Sequence, residues 1–230
     1  MRLLRTTVLY HRYPLTKWIH MSEWKSNKYW RNRPVEERVR NLRIPPRYRS
    51  CTFDSFEDVD GVGVFKTAVR KYADSPDRHL DDGMGMYLFG KTGVGKTHLA
   101  VSLLRHLVAN NELSGMFVSY DVFVEMIHDS RNNDGELPEM YGDPNLLKYM
   151  RRVYDILVID NLNADRLTDY MAKTVGNLIE ARYDMKLPTI ITTEINPDKL
   201  TTLYSDRMAS IVKRSCYTIG ITGNDYRLKD

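Results

Sequence analysis

Gly90-Lys91-Thr92-Gly93-Val94-Gly95-Lys96-Thr97 is the stretch on which the reading of this chain turns. It fills the pattern GxxxxGK[ST] and has the flanks the pattern needs. A short apolar run, MYLFG (86–90), leads straight into it. A helical pattern, THLAVSLLRHLVAN (97–110), leads out, with Leu99, Leu103, Leu104 and Leu107 on one stripe and Asn110-Asn111 as its stop. Strand, glycine loop and helix in that order make a phosphate cradle, because the glycines let backbone N–H groups wrap an anion at a helix N-terminus. Lys96 is expected to reach the β- and γ-phosphates of a nucleotide and the Thr97 hydroxyl to ligate Mg²⁺. All eight loop residues and the adjoining His98 are taken as the nucleotide-binding set.

Further from the loop, strands and helices alternate. VGVFKTAVRKYA (62–73) suits a helix, MFVSY (116–120) a strand and DVFVEMIHDS (121–130) a helix. Residues 130–145 carry Gly135, Pro138, Gly142 and Pro144 and read as a loop. YDILVID (154–160) is an apolar strand ending in an acid; a helix follows at about 167–185, then a fourth strand, PTIITT (188–193). This alternation predicts right-handed crossovers and a parallel sheet. A strand-terminal Asp on its own serves as readily in a turn or as a helix cap. Asp160 lies 64 positions after Lys96 with one strand between, where it would face the ligand edge of the sheet and hold Mg²⁺ through water.

Composition bounds the rest. The 230 residues are 42% hydrophobic and 28% charged, a globular balance. No apolar run approaches the roughly 18–20 residues that span a bilayer, so an integral membrane protein is excluded. Cys51 and Cys216 have no CxxC spacing, which removes a disulfide scaffold or cysteine zinc site and suits a reducing, cytoplasmic setting. The net charge of +4 is uneven: residues 1–49 hold 13 Lys/Arg against 3 Asp/Glu, leaving −6 for the remainder. Tyr10, Tyr13, Trp18, Trp24, Tyr29, Trp30 and Tyr48 are interleaved with those cations. Such an arm suits protein docking, through Trp, Tyr and Arg anchors, or nucleic acid, through phosphate neutralisation and base stacking, or a plain solvated tail. Its acid-free first 22 residues loosely resemble a transit peptide, although Tyr/His/Trp clusters break the Ser-rich pattern; Met21 offers an alternative start. VEERVRNLR (35–43) suits one short amphipathic helix stopped by Pro45 and Pro46.

Six segments in order resemble the DnaC/IstB group of AAA+ ATPases: IPPRYRSCTFDSF (44–56), LFGKTGVGKTHLA (88–100), YDILVIDNL (154–162), ARYDMKLPTIITT (181–193), SDRM (205–208) and GNDYR (223–227). The resemblance implies an α/β P-loop fold of AAA+ type, a five-stranded parallel sheet flanked by helices without a full helical lid. It implies residues 1–43 as a basic docking arm and 44–230 as the ATPase domain. It further implies ATP and Mg²⁺ as cofactors and packing of Tyr48, Phe53 and Phe56 on adenine, with Phe53 and Phe56 as core residues the alternative. Arg207 stands where the group places an arginine that reaches a neighbouring subunit's γ-phosphate, implying self-assembly; Arg227 resembles its closing arginine. The implied activity is ATP-dependent loading of a hexameric replicative helicase of DnaB type onto single-stranded DNA. A transposition helper of IstB type, or an ATP-binding adaptor with little hydrolysis, is the alternative.

Two positions depart from the group. Asn161 stands where an acid usually follows the strand-terminal Asp, and Glu194 stands where a polar sensor, commonly Asn, usually follows the fourth strand. An amide cannot act as a general base. If the two strand ends are neighbours, Glu194 would supply the missing carboxylate and Asn161 the sensor; drift in a slow ATPase explains the exchange equally well.

Overall fold

The computed structural model describes residues 32–58, 61–164 and 167–228. The expected arm therefore lies outside the described residues up to position 31. Five strands, β1 (Gly85–Gly90), β2 (Gly115–Ser119), β3 (Ile156–Leu162), β4 (Thr189–Thr193) and β5 (Cys216–Ile221), form one sheet in the order β2-β3-β4-β1-β5. All pairings are parallel. Parallel strands must be covered on both faces, and β3 and β4 are buried along nearly their whole length. Thr189 to Thr193 are all buried, although three of the five are threonines. Their β-branched side chains suit a strand, and their hydroxyls have partners, as described below.

The helices fall where the apolar stripes place them. One core, on α1 (Val35–Arg40), α2 (Gly63–Ala73) and α4 (Lys96–Asn110), contains Leu42, Val69, Leu99, Leu103 and Leu107. The other lies under α5 (Tyr120–Asn132), α6 (Leu146–Arg152), α7 (Asp169–Asp184) and α9 (Asp206–Ser215), with Phe123, Met150, Leu178 and Val212 inside it. Two short helices, α3 (Pro76–Leu80) and α8 (Leu200–Leu203), complete the set among the described residues. Residues 133–145 are mostly irregular, with one 3-10 turn at Glu139–Tyr141. Among the described residues no helix is long and apolar enough to cross a membrane.

Two features were not apparent from the sequence pattern. Arg182, on α7, is fully buried. Its guanidinium donates to the carbonyls of Met150, Tyr154, Asp155 and Pro188 and to Thr189 Oγ1, at 2.7–3.1 Å. One side chain thus ties α6 and α7 to the N-terminal ends of β3 and β4. The second feature is the seat of residues 35–43. Arg38 is buried and donates to the carbonyl of Val108, 2.8 Å away, and to that of Asn111, capping the C-terminal end of α4. Leu42 is fully buried, and its carbonyl accepts the Phe117 N–H at 2.8 Å on the open edge of β2. Residues 35–43, read from the sequence as part of the arm, therefore pack on the body that holds the loop.

A chain beginning at Ile44 should consequently melt below one beginning at Arg33. Losing a fully buried leucine costs about 3 kcal/mol, and about 2–4 °C accompanies each kcal/mol in a domain of this size. Calorimetry on the two chains should thus read a drop of roughly 6–12 °C; equal midpoints would show that the α1 segment adds nothing to the fold.

Candidate nucleotide site

The loop of residues 90–97 joins β1 to α4 at the carboxyl edge of the sheet, between β4 and β5. Gly95, at φ 92°, has a left-handed backbone, and a Cβ there would lie 2.7 Å from the Phe56 ring. Gly93, at φ 81°, is closed off in the same way by the Asp225 carboxylate. Only glycine meets both demands at each position. Val94 is buried in the core and anchors the loop from below, while Lys91 and Thr92 face outward.

Lys96 is only 8% exposed, and its Nζ donates to the carbonyls of Gly90 at 2.8 Å and Lys91 at 2.7 Å. The ammonium is thus folded back into its own loop. Burial pulls its pKa below the usual lysine value, while Glu194 and then Asp160 act in the opposite direction. A partly desolvated cation held by neutral carbonyls gains strongly from an anion.

Asp160, near the carboxyl end of β3, is 6% exposed. Its Oδ1 accepts from Thr97 Oγ1 at 2.8 Å and from Thr192 Oγ1 at 2.6 Å. Burial raises its pKa despite these hydrogen bonds and the charges of Lys96 and Arg227. The strand ends beyond it are knitted by hydroxyls. Thr192 Oγ1 also accepts the Asn161 N–H at 2.8 Å. Thr193 donates to the Leu162 carbonyl and accepts the Ile195 N–H, while the Tyr87 hydroxyl donates to the Ile195 carbonyl at 2.9 Å. Asn161 sits at a break in the β3–β4 register, with φ 60° and its side chain exposed. Asparagine is among the few non-glycine residues that tolerate this backbone.

The structure brings most of the expected residues together. Glu194, the first residue after β4, is exposed and accepts a hydrogen bond from Thr92 Oγ1 of the loop. Arg227 lies in the C-terminal segment that crosses the loop; the Tyr226 N–H donates to the Gly93 carbonyl at 3.1 Å, and the Arg227 charge reaches both Lys96 and Asp160. His98 is directed differently. Its Nε2 lies 2.9 Å from the Thr52 carbonyl and 3.2 Å from the Ser55 hydroxyl, and its ring meets Phe56 edge to face at 5.2 Å. It braces the 52–56 segment against α4. Phe53 and Phe56 are core residues, 4% and 6% exposed, and Tyr48 packs against the same core. Arg207, at the start of α9, is exposed and ion-paired with Glu180 of α7. Thr192, Thr193, Tyr87 and the Thr92–Glu194 pair were missed; the TT of PTIITT was the one available signal.

A Thr97 hydroxyl and an Asp160 carboxylate that converge at 2.8 Å suit Mg²⁺, which takes one or two protein oxygens and completes its shell with phosphates and water. Among the described residues no group of three or more His, Cys, Asp or Glu is placed to hold a metal ion.

Comparison with known proteins fits this site. The sequence profile of a family described as IstB-like ATP binding protein matches residues 28–230. The replicative helicase loader DnaC of Escherichia coli K12 is 24% identical over 195 residues, 80% of this chain and 75% of that protein. The replicative helicase loader DnaI of Bacillus subtilis is 30% identical over 119 residues, 51% of this chain and 35% of that protein. Among solved structures, the DnaC helicase loader superposes with a TM-score of 0.67 at 23% identity, covering 77% of this chain and all of that one. Domain III of the Thermotoga maritima replication initiator DnaA gives 0.61 at 23% identity, covering 79% and 70%. The five-stranded sheet is therefore that of the AAA+ domains in this group.

The buried Asp160 carboxylate generates a test in which stability and binding move in opposite directions. Its folded-state pKa is raised, so its contribution to stability is complete below the unfolded value and is lost as pH rises through the folded one; at pH 7 the charged form burdens the fold. Asp160→Asn keeps an acceptor for Thr97 and Thr192 without the charge. The nucleotide-free variant should melt a few degrees above the parent at pH 7, the gap closing in acid, and should lose the added stability that Mg²⁺-ATP gives the parent. A nucleotide-free midpoint below the parent's would contradict this account of Asp160.

Proposed function

The chain belongs to the IstB-like ATP-binding protein family, and from that premise we propose that it is an ATP-driven loader of a hexameric replicative helicase. The observation that carries the proposal is the alignment of 80% of the chain with a protein named a replicative helicase loader. The site supports the ATP part. Phosphates would lie on the backbone N–H groups of residues 93–97, and Lys96 would exchange the Gly90 and Lys91 carbonyls for phosphate oxygens. Thr97 and Asp160 would hold Mg²⁺, which neutralises phosphate charge when bound. Arg227 would close over the phosphates from the C-terminal segment.

Arg207 would act on a neighbour. Its partner in the single chain is Glu180, on a helix that does not carry the loop, so it is available to a second subunit's nucleotide at the cost of one exposed ion pair. Such a pair is worth about 1 kcal/mol or less, small enough for assembly to break. The basic, aromatic residues 1–31 would grip the helicase, and the assembled bodies would contact single-stranded DNA. The second reading is a transposition helper of IstB type that binds duplex DNA and a transposase; the IstB name in the family description is the point in its favour.

Two measurements test the proposal. Lys96→Ala should weaken ATP binding by about 10- to 100-fold, the worth of a charge-assisted hydrogen bond or two, in a fluorescent-nucleotide titration. In a pull-down with ATP, the parent chain should retain a purified hexameric helicase and not a transposase. Unchanged nucleotide affinity would refute the ATP reading; retention of the transposase alone would replace the loader with the helper.

A further inference from the structure

ATP hydrolysis needs a group beside the terminal phosphate that takes a proton from the attacking water. The acids near the loop differ in their freedom to do so. Asp160 is buried, and one of its oxygens already accepts two hydroxyl hydrogen bonds, so it serves the Thr97 side of the site. Asp225 lies on the opposite flank against Gly93, and its Oδ1 accepts the Arg227 N–H at 2.9 Å. Asn161 follows Asp160 but carries an amide, on a left-handed backbone whose N–H is taken by Thr192.

Glu194 differs from all three. Its main chain is fixed on both sides, through the Thr193 hydroxyl bridging Leu162 and Ile195 and through the Tyr87 hydroxyl on the Ile195 carbonyl. Its carboxylate is nonetheless exposed and is held over the phosphate loop by the hydroxyl of Thr92. Of the acids whose charges reach Lys96, Glu194 acts most strongly.

We propose that Glu194 is the catalytic carboxylate of this ATPase and that Thr92, through its hydroxyl, is the residue that positions it. The water oxygen bonds to the γ-phosphorus as the bond from phosphorus to the β–γ bridging oxygen breaks. That electron pair leaves on ADP, the water proton passes to the Glu194 carboxylate, and Glu194 then returns it to solvent. Asn161 orients the water without taking its proton. The assignment rests on the ATP reading above and adds to it the location of the base, on β4 in place of β3.

The test uses the full chain with Mg²⁺-ATP and reads nucleotide affinity and single-turnover hydrolysis separately. Glu194→Gln should bind ATP within a few-fold of the parent and hydrolyse it roughly 10²–10⁴-fold more slowly. Thr92→Val should slow hydrolysis about 10-fold, the worth of one orienting hydrogen bond, and Thr92→Ser should restore it. A Glu194→Gln chain as fast as the parent, or one changed only in affinity, overturns the assignment. So does a parent that binds ATP and never turns it over, whereas a parent that fails to bind ATP refutes the ATP reading instead.

Discussion

One buried oxygen, Asp160 Oδ1, ties the phosphate loop to the sheet. It accepts from Thr97, on the first turn of the loop helix, and from Thr192, on the neighbouring strand. A carboxylate at this depth is costly unless hydrogen-bonded, so the two hydroxyls are conditions for having it there. In return the loop, β3 and β4 are held in one register at the sheet edge where a ligand binds. The Thr192 hydroxyl extends the link to the Asn161 N–H, and Thr193 and Tyr87 carry it to Leu162 and Ile195. A row of hydroxyls thus fixes the backbone on which Asn161 and Glu194 are presented, while both side chains remain at the surface.

The loop helix is held at its other end as well. Arg38 satisfies carbonyls at the C-terminal end of α4, and Leu42 seals the edge of β2 beside it. A segment that leads out of the basic N-terminal stretch is therefore packed onto the helix whose first turn carries Lys96 and Thr97. Arg182 does similar work at the opposite ends of β3 and β4. Both arginines are buried with backbone carbonyls as their main partners, which suits the planar, multiply donating guanidinium and would not suit lysine.

Much of this was legible in the sequence because its signals are local. The GxxxxGK[ST] loop between an apolar strand and a leucine-striped helix located Lys96 and Thr97, and the apolar run ending at Asp160 located the second strand end. The four strands around 86–90, 116–120, 154–160 and 188–193 appear at nearly those bounds. β5 escaped a purely local reading, since CYTIGI alternates weakly and lies at a sheet edge. The family resemblance supplied its existence but not its place. Long-range pairings carry no local signature, which is why the contacts of Thr92 with Glu194, of Arg38 with Val108 and of Thr192 with Asp160 were not foreseen. His98 shows the converse: adjacency to the loop suggested a ligand contact, whereas its ring is turned to Thr52 and Ser55.

The central claim is that the hydroxyl-knit strand ends deliver an acid from β4, and not from β3, to the terminal phosphate. A crystal structure of the assembled chain with Mg²⁺, ADP and a metal fluoride in place of the transferred phosphoryl group tests it most directly. The account predicts that the water in line with the fluoride is hydrogen-bonded to Glu194 Oε, with Asn161 as its second partner. A water held only by Asn161, or by an acid from another subunit, with Glu194 turned away, would contradict it.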